Sequence, residues 1–126
     1  MTSDADPKSC RPVGPTMGID EFEQLVANAL DSIPAELGQL MENVAILVDD
    51  ESPPGRVLGL YQGVPLTSRG VHYSGQVPDR ITIYMASICR VCSTRDDVVR
   101  TVRRVVIHEV GHHFGISDRR LRELGW

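Results

Sequence analysis

Lysine is almost missing from this chain: of thirteen basic residues only Lys8 is not arginine. Set against seventeen acidic residues, they leave a net charge of -4 at pH 7, with no basic surface to hold nucleic acid phosphates. Long apolar runs are missing too. Nothing approaches the roughly 18 consecutive apolar residues of a membrane span, and no helical stretch joins a cationic face to a strongly apolar one. The N-terminal segment is polar and rich in proline, without the apolar stretch of a signal peptide. These absences predict no nucleic acid partner and no membrane partner, and they read as a cytoplasmic protein. Cysteine is scarce as well. Three cysteines cannot all pair within the chain, and in a reducing compartment they are expected as free thiols with no structural disulfide. The preference for arginine reads as GC-rich bacterial coding rather than a functional demand. There is no internal repeat and no low-complexity tract.

A chain of 126 residues suffices for one domain with a real core and not for two. Residues 1–17 hold Pro7, Pro12, Pro15 and Gly14 with almost nothing apolar to bury, which predicts a disordered tail before a single domain over residues 18–126. From Gly18 onward Ile19, Phe22, Leu25, Val26, Ala29 and Leu30 repeat at helical spacing, with Asp20, Glu21 and Glu23 in the first turn where the helix dipole favours acids. Pro34 suits the start of a second, short helix through about Met41. Asn43 to Val48 is a β-rich apolar run closed by Asp49, Asp50, Glu51 and the Ser52-Pro53-Pro54-Gly55 breaker. Val57 to Tyr61 reads as a second strand, followed by a loop through Pro65, Gly70 and Gly75. Arg80 to Met85 alternates Ile81, Ile83 and Met85 with Thr82 and Tyr84, as a strand with one buried face does.

The chemistry sits near the C-terminus, in His108-Glu109-Val110-Gly111-His112-His113-Phe114-Gly115-Ile116-Ser117-Asp118. A helix is predicted to begin near Thr94, which has capping-box spacing to Asp97, and to bury Val98, Val99, Val102, Val105 and Val106 while Arg95, Arg100, Arg103 and Arg104 point out. On it, His108 and His112 are four apart and share a face, each able to offer an imidazole nitrogen to one cation. Glu109 is rotated about 100° from His108, beside the metal, where a carboxylate can take a proton from the attacking water. Gly115 ends the helix and reverses the chain, so that Asp118, three residues on, can return as a third ligand and leave a fourth position to water. Ser117 reads as the N-cap of a last helix, Asp118 to Leu124. The competing reading of these residues is structural, as caps and packing.

Other candidates carry less. His113 is expected as a polar residue packed or hydrogen-bonded near the site, Phe114 as core, and His72 as a solvated loop residue. Tyr61, Tyr73 and Tyr84 are expected to pack, with an oxyanion-donor role open to one of them. Cys89-Arg90-Val91-Cys92 has the spacing of half a zinc site or a redox pair, but no second CxxC supports either. Asp49-Asp50-Glu51 fits a solvated turn better than a hard-cation site.

The motif matches the HExxHxxGxxD pattern and resembles zincin metallopeptidases whose third ligand is aspartate, as in snapalysin-like enzymes. It is closer still to a family of small bacterial minimal-zincin metallopeptidases. Phe22-Glu23-Gln24-Leu25-Val26, Leu30-Asp31-Ser32-Ile33-Pro34, Gly59-Leu60-Tyr61-Gln62-Gly63-Val64-Pro65-Leu66 and Pro78-Asp79-Arg80-Ile81-Thr82-Ile83-Tyr84 also resemble that family's blocks, so the likeness runs from about residue 18 onward. It implies a minimal zincin-like α+β fold, with a short mixed sheet of about three to four strands packed on the motif helix and an N-terminal helix. It further implies Zn2+ held by His108, His112 and Asp118, Glu109 as general base, and a peptide or protein substrate. Position 118 holds no third histidine, and only eight residues follow Asp118, without the Met-turn or lower subdomain of larger zincins. The substrate is therefore expected to meet a shallow site, with Arg80 to Met85 as the candidate edge strand beside it. Two rivals remain open: a non-catalytic metal-binding adaptor or regulatory protein that keeps the zincin core, and a zinc site that is purely a structural staple.

Overall fold

A computed structural model describes residues 17–51, 53, 55, 57–70, 73 and 77–125. The tail expected over residues 1–17 lies, through residue 16, outside the described residues, as do His72, Gly75, Cys10 and Trp126. Met17 is 1% exposed and belongs to the core.

The element order is α1 (Ile19–Asp31), α2 (Ala35–Gly38), β1 (Val44–Asp49), β2 (Gly59–Gln62), a 3-10 turn (Leu66–Ser68), β3 (Asp79–Tyr84), α3 (Met85–Val91), α4 (Arg95–His113) and α5 (Asp118–Leu124). Among the described residues, five α-helices and one mixed sheet make an α+β fold, as expected. The sheet runs β1-β3-β2, with β1 parallel to β3 and β2 antiparallel to it.

That order corrects one expectation. The strand proposed as the edge, Arg80 to Met85, is the middle strand: Ile81 pairs with Ile46 on one side and Tyr61 on the other. Its alternating pattern fits a strand covered on one face and cannot tell edge from centre, because pairing lies in the plane of the sheet and patterning across it. Met85 is the first residue of α3 rather than the end of the strand. β2, paired only with β3 among the described residues, is the edge that faces the motif helix.

α4 is the spine. Thr94 Oγ1 accepts the Asp97 N–H at 3.1 Å, the expected N-cap, and Val98, Val102, Val105, Val106 and Val110 are buried. A valine costs a helix about 0.5 kcal/mol relative to alanine, while its burial is worth roughly 1.5 kcal/mol or more, so packing decides. α1 crosses α4 and contributes Phe22, Val26 and Ala29; the sheet contributes Ile81 and Ile83. α2 is shorter than expected and buries no residue.

The cysteines depart from expectation. Cys89 carries a disulfide, although none was expected, while Cys92 is a buried free thiol whose Sγ lies 3.4 Å from Thr101 Oγ1. Cys89 and Cys92 thus form no closed redox pair with each other, and both pack in the core.

The sheet meets the spine at a glycine. A Cβ on Gly59 would stand 2.6 Å from Val105 Cγ1 and 3.3 Å from Glu109 Cγ, so β2 approaches α4 only because no side chain intervenes. Gly59→Ala is expected to lower stability by about 1–3 kcal/mol through overpacking, read as a reduced urea midpoint. An unchanged midpoint would mean that Val105 turns aside freely.

Candidate metal centre

Two turns of α4 and the turn that follows build the site. His108 and His112, four residues apart, have ring centroids 4.9 Å apart in an edge-to-face arrangement. Gly115 has φ +85°, in the left-handed region where glycine pays no side-chain penalty, and a Cβ there would overlap the Thr67 side chain. The chain turns back, Ser117 caps α5 by accepting the Arg120 N–H at 3.2 Å, and Asp118 opens α5 under the histidines. α5 is fastened by Leu121, fully buried, in a notch left by Gly111: a Cβ on Gly111 would lie 2.5 Å from Leu121 Cδ2.

Asp118 Oδ1 stands 3.1 Å from His108 Nε2 and 2.9 Å from His112 Nε2. Atoms bound about 2.0–2.1 Å from a tetrahedral zinc stand roughly 3.3–3.4 Å from one another, so a small displacement separates this donor set from a zinc-ligand triangle. His112 Nδ1 lies 3.0 Å from the Ile116 carbonyl. As a donor to that oxygen it leaves Nε2 with a free lone pair, the outer-shell arrangement common to metal-bound histidines. Two nitrogens and one carboxylate oxygen suit zinc.

Glu109 occupies a different setting. It is 8% exposed, and its metal-capable atoms lie within 4.8 Å of those of His108 and His112. Burial, opposed by the two histidines and by the Tyr61 backbone N–H it accepts, raises its pKa above the ordinary carboxylate value. Asp118, largely exposed, is instead held below the ordinary value, first by its hydrogen bond with His108. The two carboxylates are thus shifted in opposite directions, Glu109 toward holding a proton and Asp118 toward staying ionised. Both face a cleft of about 580 Å³ walled by Leu60 and Tyr61 of β2, Pro65 and Thr67.

Behind the site lies a polar cluster that sequence reasoning missed. Asp79, 2% exposed, accepts the Tyr61 hydroxyl, Arg69 Nη2 at 2.8 Å, His113 Nδ1 at 3.0 Å and the Val64 N–H at 3.0 Å. His113 Nε2 in turn accepts the Glu42 N–H at 3.3 Å, so the ring is neutral. Burial lowers its pKa against the pull of Asp79. Gly63 makes room, since a Cβ there would overlap the Asp79 side chain. The cluster joins the start of β3, the end of β2, the 63–69 wall of the cleft and the last turn of α4. His113 thus fills the hydrogen-bonded role expected of it, and Phe114 packs against the core. A signal for Asp79 was present: it has the same strand parity as Ile81 and Ile83, so the alternation that buries them buries it.

The hydroxyls of Tyr61 and Tyr73, both open to an oxyanion-donor role, have other partners. Tyr61 serves Asp79, and burial and that carboxylate hold its hydroxyl protonated. Tyr73 accepts Asn43 Nδ2 at 2.8 Å and stacks under Arg69 at 4.4 Å. At the end of β1, Asp49 Oδ1 accepts the Glu51 N–H at 3.0 Å, which fits the turn reading of that acidic run.

Compared with known proteins, the chain matches a family model described as zincin-like metallopeptidase over residues 41–126. No curated protein matches it at a significant level.

Proposed function

The chain belongs to the zincin-like metallopeptidase family, and on that premise we propose that it is a zinc-dependent peptidase using His108, His112 and Asp118 as ligands and Glu109 as general base. The observation that carries this reading is the approach of two imidazole Nε2 atoms to one Asp118 oxygen at 3.1 and 2.9 Å, with the buried carboxylate of Glu109 alongside. Zinc bound there supplies Lewis acidity, lowering the pKa of water toward about 7 and polarising the scissile carbonyl.

The chain's own groups do the rest. Glu109 takes the proton of the attacking water and passes it to the leaving amine; its position is fixed by the Tyr61 N–H and by the tight Gly59 crossing. With the Tyr61 N–H held by Glu109, the outer edge of β2, unpaired among the described residues, offers its remaining backbone groups to an extended peptide, which would lie along Leu60 and Tyr61 above the histidines. Leu60, 36% exposed, gives such a peptide an apolar contact.

The test is metal analysis of the purified protein together with a peptide-library digest. One equivalent of zinc and cleavage that a chelator stops are expected, with His112→Ala losing both metal and cleavage. The helical circular dichroism of the chelated protein should persist, because the buried residues of α1, α4 and β3 pack without the site. Unfolding on chelation would instead make the metal a structural staple, and zinc binding without cleavage would favour an adaptor.

A further inference from the structure

On the side of α4 away from the histidines lies a second cavity of about 440 Å³, within the roughly 300–1,000 Å³ range of small-molecule sites. Its floor is carbon: Ile33 and Leu37 from the α1–α2 segment, and Ile107, Val110 and Phe114 from α4. Its rim carries Arg100, Arg103 and Arg104. No carboxylate lines it among the described residues. Arg100 pairs with Asp97, but Arg103 and Arg104, both exposed, have no ion pair among the described residues. In a chain of net charge -4, two unpaired cations at the mouth of an apolar recess are a local inversion of sign. The cavity shares no lining residue with the metal cleft; of its residues only Arg104 also borders a hollow beside His108 and Glu109, so the proposal does not rest on the peptidase reading.

We propose that this cavity binds a small anionic amphiphile, a medium-chain carboxylate whose acyl body lies on Ile107, Val110 and Phe114 and whose head group meets Arg103 and Arg104. The fit has two independent parts. The recess would remove the acyl chain from water, which favours any apolar body. The unpaired guanidiniums offer planar, paired donors matched to a carboxylate, which selects the head group.

Calorimetric titration of the full chain with decanoate, decan-1-ol and decyltrimethylammonium tests both parts. Saturable one-to-one binding of decanoate is expected, at least about tenfold tighter than the alcohol, since a charged hydrogen bond is worth about that factor, and no binding of the cation. Arg103→Gln with Arg104→Gln, both at exposed positions, should weaken decanoate about tenfold without moving the thermal midpoint. Methyl resonances of Ile107 and Val110 should shift on binding. Shifts confined to His108 and His112 would place decanoate in the metal cleft and overturn the proposal. It would equally be overturned by no saturable binding, by equal binding of the three amphiphiles, or by an unchanged affinity in the double variant.

Discussion

A Glu109→Gln variant is expected to lose about 10²–10⁴-fold in kcat/KM while still holding one equivalent of zinc. The substitution keeps the shape of the side chain, and its amide oxygen can still accept the Tyr61 N–H, so the close contact with Gly59 survives. What vanishes is the capacity to take a proton. The proposed ligands are untouched, because Glu109 is rotated off the line joining the two imidazoles and stands beside the convergence of His108, His112 and Asp118. Rates on a cleaved library peptide, measured beside metal content, separate the possibilities. A variant within a few-fold of the parent rate would remove Glu109 from the role of base. A parent protein that binds zinc, cleaves nothing and shares its binding behaviour with the variant would turn the reading toward a regulatory protein.

Asp79→Ala should be the most damaging single change away from the metal centre. It would strip the Arg69 guanidinium, whose side chain is 8% exposed, of its buried carboxylate partner, leaving it the Val64 and Glu42 carbonyls, and would leave Nδ1 of the fully buried His113 without its acceptor. Removing one member of a buried charged pair typically costs about 3–5 kcal/mol, against a total stability of about 5–15 kcal/mol for an ordinary domain. Urea unfolding is expected to show a strongly lowered midpoint, reaching zero denaturant if the parent's stability is at the lower end of that range. Acid should expose the same group. Burial pushes the Asp79 carboxyl upward, but the Tyr61 hydroxyl, the Val64 N–H, His113 and Arg69 outweigh it, and its pKa falls below the ordinary value. With the folded value below the unfolded one, near 3.9, its contribution is complete above the unfolded pKa and is lost as pH falls through the folded one. Asp79→Asn, which retains some of the hydrogen bonds, should therefore flatten the parent's stability loss below about pH 4. If the two curves stay parallel there, the carboxylate is not what the network depends on.

How much could be read in advance depends on how local each signal is. The caps at Thr94 and Ser117, the reversal at Gly115 and the paired histidines are settled within a few residues, and each stands where the sequence placed it. α3 was missed because Met85 keeps the parity of Ile81 and Ile83, so the strand pattern runs on past the strand. The central place of β3 depends on β1 and β2 arriving from opposite sides, which no single strand records. The disulfide at Cys89 was unreadable because pairing depends on distance in space. The Asp79 cluster draws on residues 42 through 113, and only the parity of Asp79 hinted at it.

The seating of Leu121 against Gly111 makes the placing of the proposed third ligand partly a matter of oil and shape. Asp118 projects from a single seven-residue helix, and little besides that leucine plugs the helix into its neighbour. Trimming Leu121 to a smaller side chain, away from the proposed donor atoms, would let the carboxylate drift and, on the proposed ligand set, weaken metal binding. On that reading, affinity for the metal is adjustable by carving one apolar socket, with His108, His112 and Glu109 left as they are.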